Sequence, residues 1–249
     1  MIDDIWKWGA IEELAPASIQ THTGKLDQAL GSACVFGGAW LSHVASGLVA
    51  NGINVAELCY DMWYSLQQGR SEATLVIVLA GASGGEGKSV LLKPLHNIFK
   101  DRVFNVTKEA GNFPLPESMG CQIAFLDEYR FDPDVISWAT QCLWFDGSAA
   151  SVGKPQDVRG MTGNMTYTGS APIFITTKLE DLKELEYHAQ IYSCTSVPWN
   201  ADASMLLRRL KCYKFFCRAP MPRGKMEFCA HCFANLVQTR GSGWAATRN

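Results

Sequence analysis

Apolar positions over the first 70 residues recur at helical spacing: Trp6, Trp8, Ile11 and Leu14, then Leu26 to Val49, then Val55 to Leu66. Asn51-Gly52 separates the last two stretches as a turn. From Thr74 the pattern changes. Leu75-Val76-Ile77-Val78-Leu79-Ala80 is an unbroken apolar run ending in glycines, which predicts a strand buried on both faces of a parallel sheet. Ile123-Ala124-Phe125-Leu126 and Ile173-Phe174-Ile175-Thr176 predict two more, with helices over Lys88 to Phe99 and Pro133 to Phe145 between the strands. Strand and helix alternating in this way predict an α/β core, a parallel sheet with helices on both faces. The expected organisation is a helical N-terminal unit at 1–70, suited to oligomerisation, the α/β core at 71–216, and a C-terminal segment at 217–249. The first boundary falls near Gly69-Arg70-Ser71. Ala29 to Ala50 is apolar, but its small residues, with Ser42 and His43, predict a closely packed interior helix and no membrane span.

Composition excludes disorder, since 47% of residues are hydrophobic and only 18% charged. The net charge of -2 hides a segregation. Residues 1–70 carry 3 Lys/Arg against 7 Asp/Glu, residues 71–204 carry 10 against 16, and residues 205–249 carry 9 against 1. So basic a C-terminal stretch suits a polyanion partner or a phosphate-facing role; a solvated surface is the alternative. Nine scattered cysteines, an odd number, do not make a disulfide framework. With no basic-apolar-small signal pattern at the start, they predict buried thiols in an intracellular, reducing compartment.

Gly81-Ala82-Ser83-Gly84-Gly85-Glu86-Gly87-Lys88-Ser89 follows the first strand and opens a helix, the context a phosphate-binding loop requires. Glycines let backbone N–H groups turn toward a phosphate, and the helix N-terminus adds its dipole. Lys88 is expected to reach the β- and γ-phosphates of ATP, and the Ser89 hydroxyl to hold Mg2+. Ile123 to Leu126 leads straight into Asp127-Glu128. Ligands in such sheets bind at that end of the strands. Asp127 is expected to assist the metal and Glu128 to orient and deprotonate an attacking water. The third strand ends in Thr176-Thr177-Lys178, polar residues placed to contact the γ-phosphate and that water.

Together, Gly81 to Ser89, Ile123 to Glu128 and Ala171 to Lys178 resemble the core of superfamily 3 helicases, the AAA+ type replicative helicases of small DNA viruses such as parvoviruses and papillomaviruses. The resemblance covers residues 75 to 215. It implies ATP hydrolysis with Mg2+ and movement of single-stranded DNA through a homohexameric ring, with no membrane involved. Asp146-Gly147-Ser148 through Ser151-Val152-Gly153-Lys154 resembles the family's additional motif, which implies Lys154, with Arg159 near the hairpin tip, as DNA-gripping residues. Met205 to Phe215 resembles the junction that supplies an arginine finger to a neighbouring subunit, which implies Arg209, with Arg208 as runner-up. Three departures stand out: Ala82 replaces a glycine, the hairpin is poor in basic residues, and Lys178 stands where the family usually has asparagine. An ammonium cannot accept a hydrogen bond from water as an amide carbonyl can. The alternative is therefore a degenerate phosphate-loop protein that binds nucleotide or nucleic acid without unwinding. A small-molecule kinase is a third reading, but no lid or acceptor site is recognisable. With no origin-binding or nicking segment recognisable, the chain is expected to be a motor domain alone or a fragment.

Cys217, Cys229 and Cys232, with Cys212 or His231 as fourth ligand, form a candidate zinc set. The competing expectation is an apolar packing element built on Phe228, Phe233, Leu236 and Val237. The tryptophans, including Trp63, Trp138 and Trp144, are expected in the core. Glu180 to Glu186 is expected to be a solvated helix face.

Overall fold

The computed structural model describes residues 21–34, 37–82, 84–100, 103–105, 121–153, 164–167, 169–195, 198–218 and 228–248. Trp6, Trp8, Ile11, Leu14, Ser83, Lys154 and Arg159 lie outside the described residues. Three helices come first: α1 (His22–Leu30), α2 (Ala39–Ala50) and α3 (Val55–Gln68). The stretch expected as one helix from Leu26 to Val49 is two, because Gly37 and Gly38 take φ of 56° and 79°, where a right-handed helix cannot continue.

The core follows as β1 (Val76–Gly81), α4 (Lys88–Leu92), α5 (Pro94–Phe99), β2 (Val103–Asn105), β3 (Ile123–Leu126), α6 (Trp138–Asp146), β4 (Ala150–Gly153), β5 (Asn164–Tyr167), β6 (Ile173–Lys178), α7 (Leu179–Thr195), α8 (Pro198–Arg208) and β7 (Leu210–Phe215); α9 (Ala230–Arg248) closes the order. The helix expected over Lys88 to Phe99 breaks at Pro94, which has no N–H to continue the ladder and instead starts α5. α6 starts at Trp138, later than the pattern suggests, because the Ser137 hydroxyl caps it by accepting from Thr140 N–H.

Five strands pair in parallel in the order β2-β3-β6-β1-β7, while β4 and β5 form a separate antiparallel pair. The expected α/β class is the observed one. Successive residues of β1 face opposite sides, and this parity sorts the core. Ile77 and Leu79, with Phe125, Phe174, Tyr213 and Phe215, pack against α1, α2, α3, α5 and α9. Val76 and Val78, with Leu126, Ile173 and Ile175, pack against Trp138, Trp144, Leu185 and Leu206.

The N-terminal helices and the C-terminal helix thus share one apolar layer on one sheet face. Phe233, Leu236 and Val237 are buried there, and Gly241 comes so close to α3 that a Cβ would stand 2.8 Å from Trp63 Cβ. Gly69-Arg70-Ser71, where a boundary was expected, is a packed junction. Arg70 is buried and donates to the carbonyls of Trp144 and Gly169. Gly69, at φ 67°, lies so near Ser170 that a Cβ would be 2.4 Å from its carbonyl oxygen.

Cys59 and Cys142 are buried thiols, and burial pushes them up to about 12 and about 11, so both are neutral at pH 7. In α7, Leu182, Leu185 and Ala189 face inward while Glu180, Lys183 and Glu184 are exposed, as expected. Among the described residues no helix is long and apolar enough to cross a membrane.

Candidate active site

β1 ends at Gly81 and α4 begins at Lys88, so the glycine-rich loop joins a central strand to a helix N-terminus. Gly84, Gly85 and Gly87 take φ of 84°, 80° and 90°, which side chains disfavour, so glycine is required to shape the turn. The Lys88 ammonium folds back over Gly81: a Cβ there would stand 2.0 Å from Nζ. Its partner is Glu86, whose buried carboxylate accepts from Lys88 Nζ at 2.8 Å and from Gly84 N–H at 2.9 Å. One anionic side chain therefore engages both an ammonium and a loop N–H, the two donor types a phosphate would use. Sequence reasoning placed Glu86 in the loop without this role. Its position two residues before Lys88 was the available signal.

β6 lies between β1 and β3, so three strand ends meet the loop side by side. Ser89 Oγ donates to Asp127 Oδ1 at 2.9 Å. Thr176, at the tip of β6, donates its hydroxyl to the same Asp127 oxygen at 2.5 Å and accepts from Glu128 N–H at 2.9 Å. Glu128 is held at φ 51°, an uncommon conformation for a residue with a side chain, of the kind found at functional sites. Thr176 thus fixes both acidic residues. Thr177 is buried and donates to the Tyr129 carbonyl at 2.7 Å. Lys178 is exposed at the end of β6.

Gly84 to Ser89, Glu128, Thr176, Thr177 and Lys178 line one cavity of about 380 Å³, and Asp127 stands behind Ser89 through their 2.9 Å contact. Of the expected loop residues, Ala82 also lines it. Ser89 and Asp127 present a hydroxyl and a carboxylate oxygen in contact, a donor set that suits a hard cation such as Mg2+. Arg218, which the sequence did not single out, is exposed beside the loop, its Cδ 4.0 Å from where a Gly85 Cβ would be.

Arg208 and Arg209 lie elsewhere. Val76 N–H, at the start of β1, donates to the Arg209 carbonyl at 2.8 Å, so this junction is at the opposite end of β1 from the loop. The five steps from Val76 to Gly81, at about 3.3 Å each, separate the two ends by roughly 17 Å. The Arg209 guanidinium is engaged by both oxygens of Asp146, whose hydrogen bonds raise its pKa, and by the Met205 carbonyl at 2.8 Å. Arg208 is exposed. Part of the C-terminal basic excess is thus paired within the chain: Lys211 meets Glu57 at 2.6 Å, and Lys214 meets Glu186 at 2.9 Å.

The expected zinc set needs correction. Cys217 is exposed, and its N–H donates to Asn51 Oδ1 at 2.7 Å in the turn between α2 and α3. Cys212 lies in β7, and His231 places Nδ1 2.9 Å from the Leu30 carbonyl. Among the described residues, the sulfurs that meet are those of Cys34, Cys229 and Cys232.

No protein-family model matches the chain, and no curated protein matches it. Similar solved structures include the apo A form of the NrS-1 C-terminal region, 12% identical with a TM-score of 0.46, over 80% of this chain and 44% of that one. Another is the JCV helicase bound to an acetamide compound, 14% identical with a TM-score of 0.44, over 86% of this chain and 57% of that one. The chain spans less than half the length of the NrS-1 chain.

Proposed function

We propose that the chain is the ATP-hydrolysing motor of a superfamily 3 type DNA helicase or translocase, acting on single-stranded DNA as a homohexameric ring. The observation that carries the reading is the 2.9 Å contact between Ser89 Oγ and Asp127 Oδ1, which joins the phosphate loop to the acidic strand end at one cavity. Loop N–H groups and Lys88 bind and orient the triphosphate. Ser89 and Asp127 would hold Mg2+, which when bound neutralises charge on the phosphate oxygens. Glu128 accepts the proton of the attacking water, and Thr176 positions Glu128 through its backbone N–H. Lys178 at the cavity rim favours a second reading, nucleotide binding without turnover.

Because the Arg208-Arg209 junction lies about one strand length from its own cavity, it serves only a neighbouring copy. Arg209 is committed to Asp146, so Arg208 is the finger in this reading. Arg208→Ala is expected to cut turnover by roughly 10³-fold with no change in Tm, whereas Arg209→Ala strands Asp146 and lowers Tm. Mixing Arg208→Ala with Lys88→Ala subunits tests action in trans. Activity is expected to recover, since some shared sites then combine an intact loop with an intact finger; mixtures as inactive as their components would count against the ring.

A further inference from the structure

On the helical side of the sheet, three sulfurs from opposite ends of the chain converge. Cys34 follows α1, Cys229 stands at the boundary of α9, and Cys232 is in its first turn. Cys34 Sγ is 3.3 Å from Cys232 Sγ and 3.9 Å from Cys229 Sγ, and all three sulfurs lie within 4.8 Å of one another. We propose that Cys34, Cys229 and Cys232 bind one thiophilic divalent ion of the zinc class, tying the segment after α1 to the start of α9.

The spacing fits an ion better than a disulfide. Zinc–sulfur bonds of about 2.3 Å in a tetrahedron place the sulfurs about 3.8 Å apart, whereas a disulfide needs about 2.05 Å. Backbone N–H groups reach two of the three sulfurs. Gly38 N–H donates to Cys34 Sγ at 3.3 Å, and Cys232 N–H donates to Cys229 Sγ at 3.4 Å. Donors to a ligating sulfur hold it in place and offset its charge, as does the N-terminus of α9. The Cys229 carbonyl accepts from Phe233 N–H at 3.1 Å, which makes Cys229 the helix cap and fixes the two-residue spacer on the first turn. Solvent takes the fourth position. On binding, each of the three thiols loses its proton to solvent and forms a sulfur–metal bond, with no electron transferred. The site is separate from the nucleotide cavity and does not depend on it.

Titrating cobalt(II) into the reduced, metal-free full chain tests this directly. The expected result is saturation at about one ion per chain, with thiolate-to-cobalt charge-transfer absorption and tetrahedral ligand-field bands. Zinc is then expected to displace cobalt and raise Tm. Cys34→Ser is expected to weaken binding by at least about tenfold, and Cys217→Ser to leave it unchanged. If Cys34→Ser does not fold, the wild-type spectrum still decides. Absence of the charge-transfer band would overturn the proposal, as would equal loss in Cys217→Ser. So would a Cys34–Cys232 cross-link, two hydrogens lower in mass, that persists under reductant.

Discussion

Lys88→Ala is expected to abolish ATP turnover and at the same time to lower Tm. The first effect follows from removing the ammonium that would meet the β- and γ-phosphates. A charge-assisted hydrogen bond is worth about 1.5–3 kcal/mol, so losing two costs roughly 10²–10⁴-fold in ATP binding and turnover. The second effect comes from Glu86, whose side chain is fully buried and hydrogen-bonded to the ammonium at 2.8 Å. Without Lys88 a buried carboxylate loses its ammonium partner, and breaking such a pair costs about 3–5 kcal/mol. Adding Glu86→Gln removes the stranded charge. The double variant is therefore expected to regain Tm, followed by thermal unfolding, without regaining turnover, followed by phosphate release. A Tm unchanged in Lys88→Ala would show that the pair contributes nothing to the fold.

Glu128→Gln is expected to reduce turnover by roughly 10²–10⁴-fold, the usual contribution of a general base, while ATP affinity stays within a few-fold. The amide keeps the shape of the side chain and cannot accept the water's proton. The backbone N–H that binds Thr176 is untouched, so Asp127 keeps its contacts with Thr176 and Ser89. ATP binding by calorimetry together with a phosphate-release assay separates the two steps. A variant that hydrolyses ATP at the wild-type rate would remove Glu128 from the chemistry.

The parts of this site that were legible in the sequence are those set by local pattern. A short, β-branched apolar run that ends in glycine or polar residues reads as a buried strand, and β1, β3 and β6 appear where the runs of Val76 to Ala80, Ile123 to Leu126 and Ile173 to Thr176 stand. The loop is legible for the same reason: glycines, a lysine and a serine at a strand-to-helix junction form a local signature. Contacts between distant segments were not. The Cys34 sulfur meets Cys232 across 198 positions, and no spacing rule connects them. The finger candidate shows the same limit. Arg209 resembles the family pattern, but its engagement by Asp146, 63 positions earlier, depends on how α6 and the end of α8 pack. Charge was misleading for a related reason. The basic excess of the C-terminal stretch is partly consumed by Glu57, Asp146 and Glu186 from earlier in the chain.

The central claim, that the cavity between the glycine-rich loop and Glu128 turns over ATP to drive a DNA motor, is tested most directly by phosphate release from the wild-type chain with ATP and Mg2+, with and without single-stranded DNA. The account predicts steady turnover that single-stranded DNA stimulates. A chain that binds ATP under the same conditions yet releases no phosphate, with DNA or without it, would contradict it.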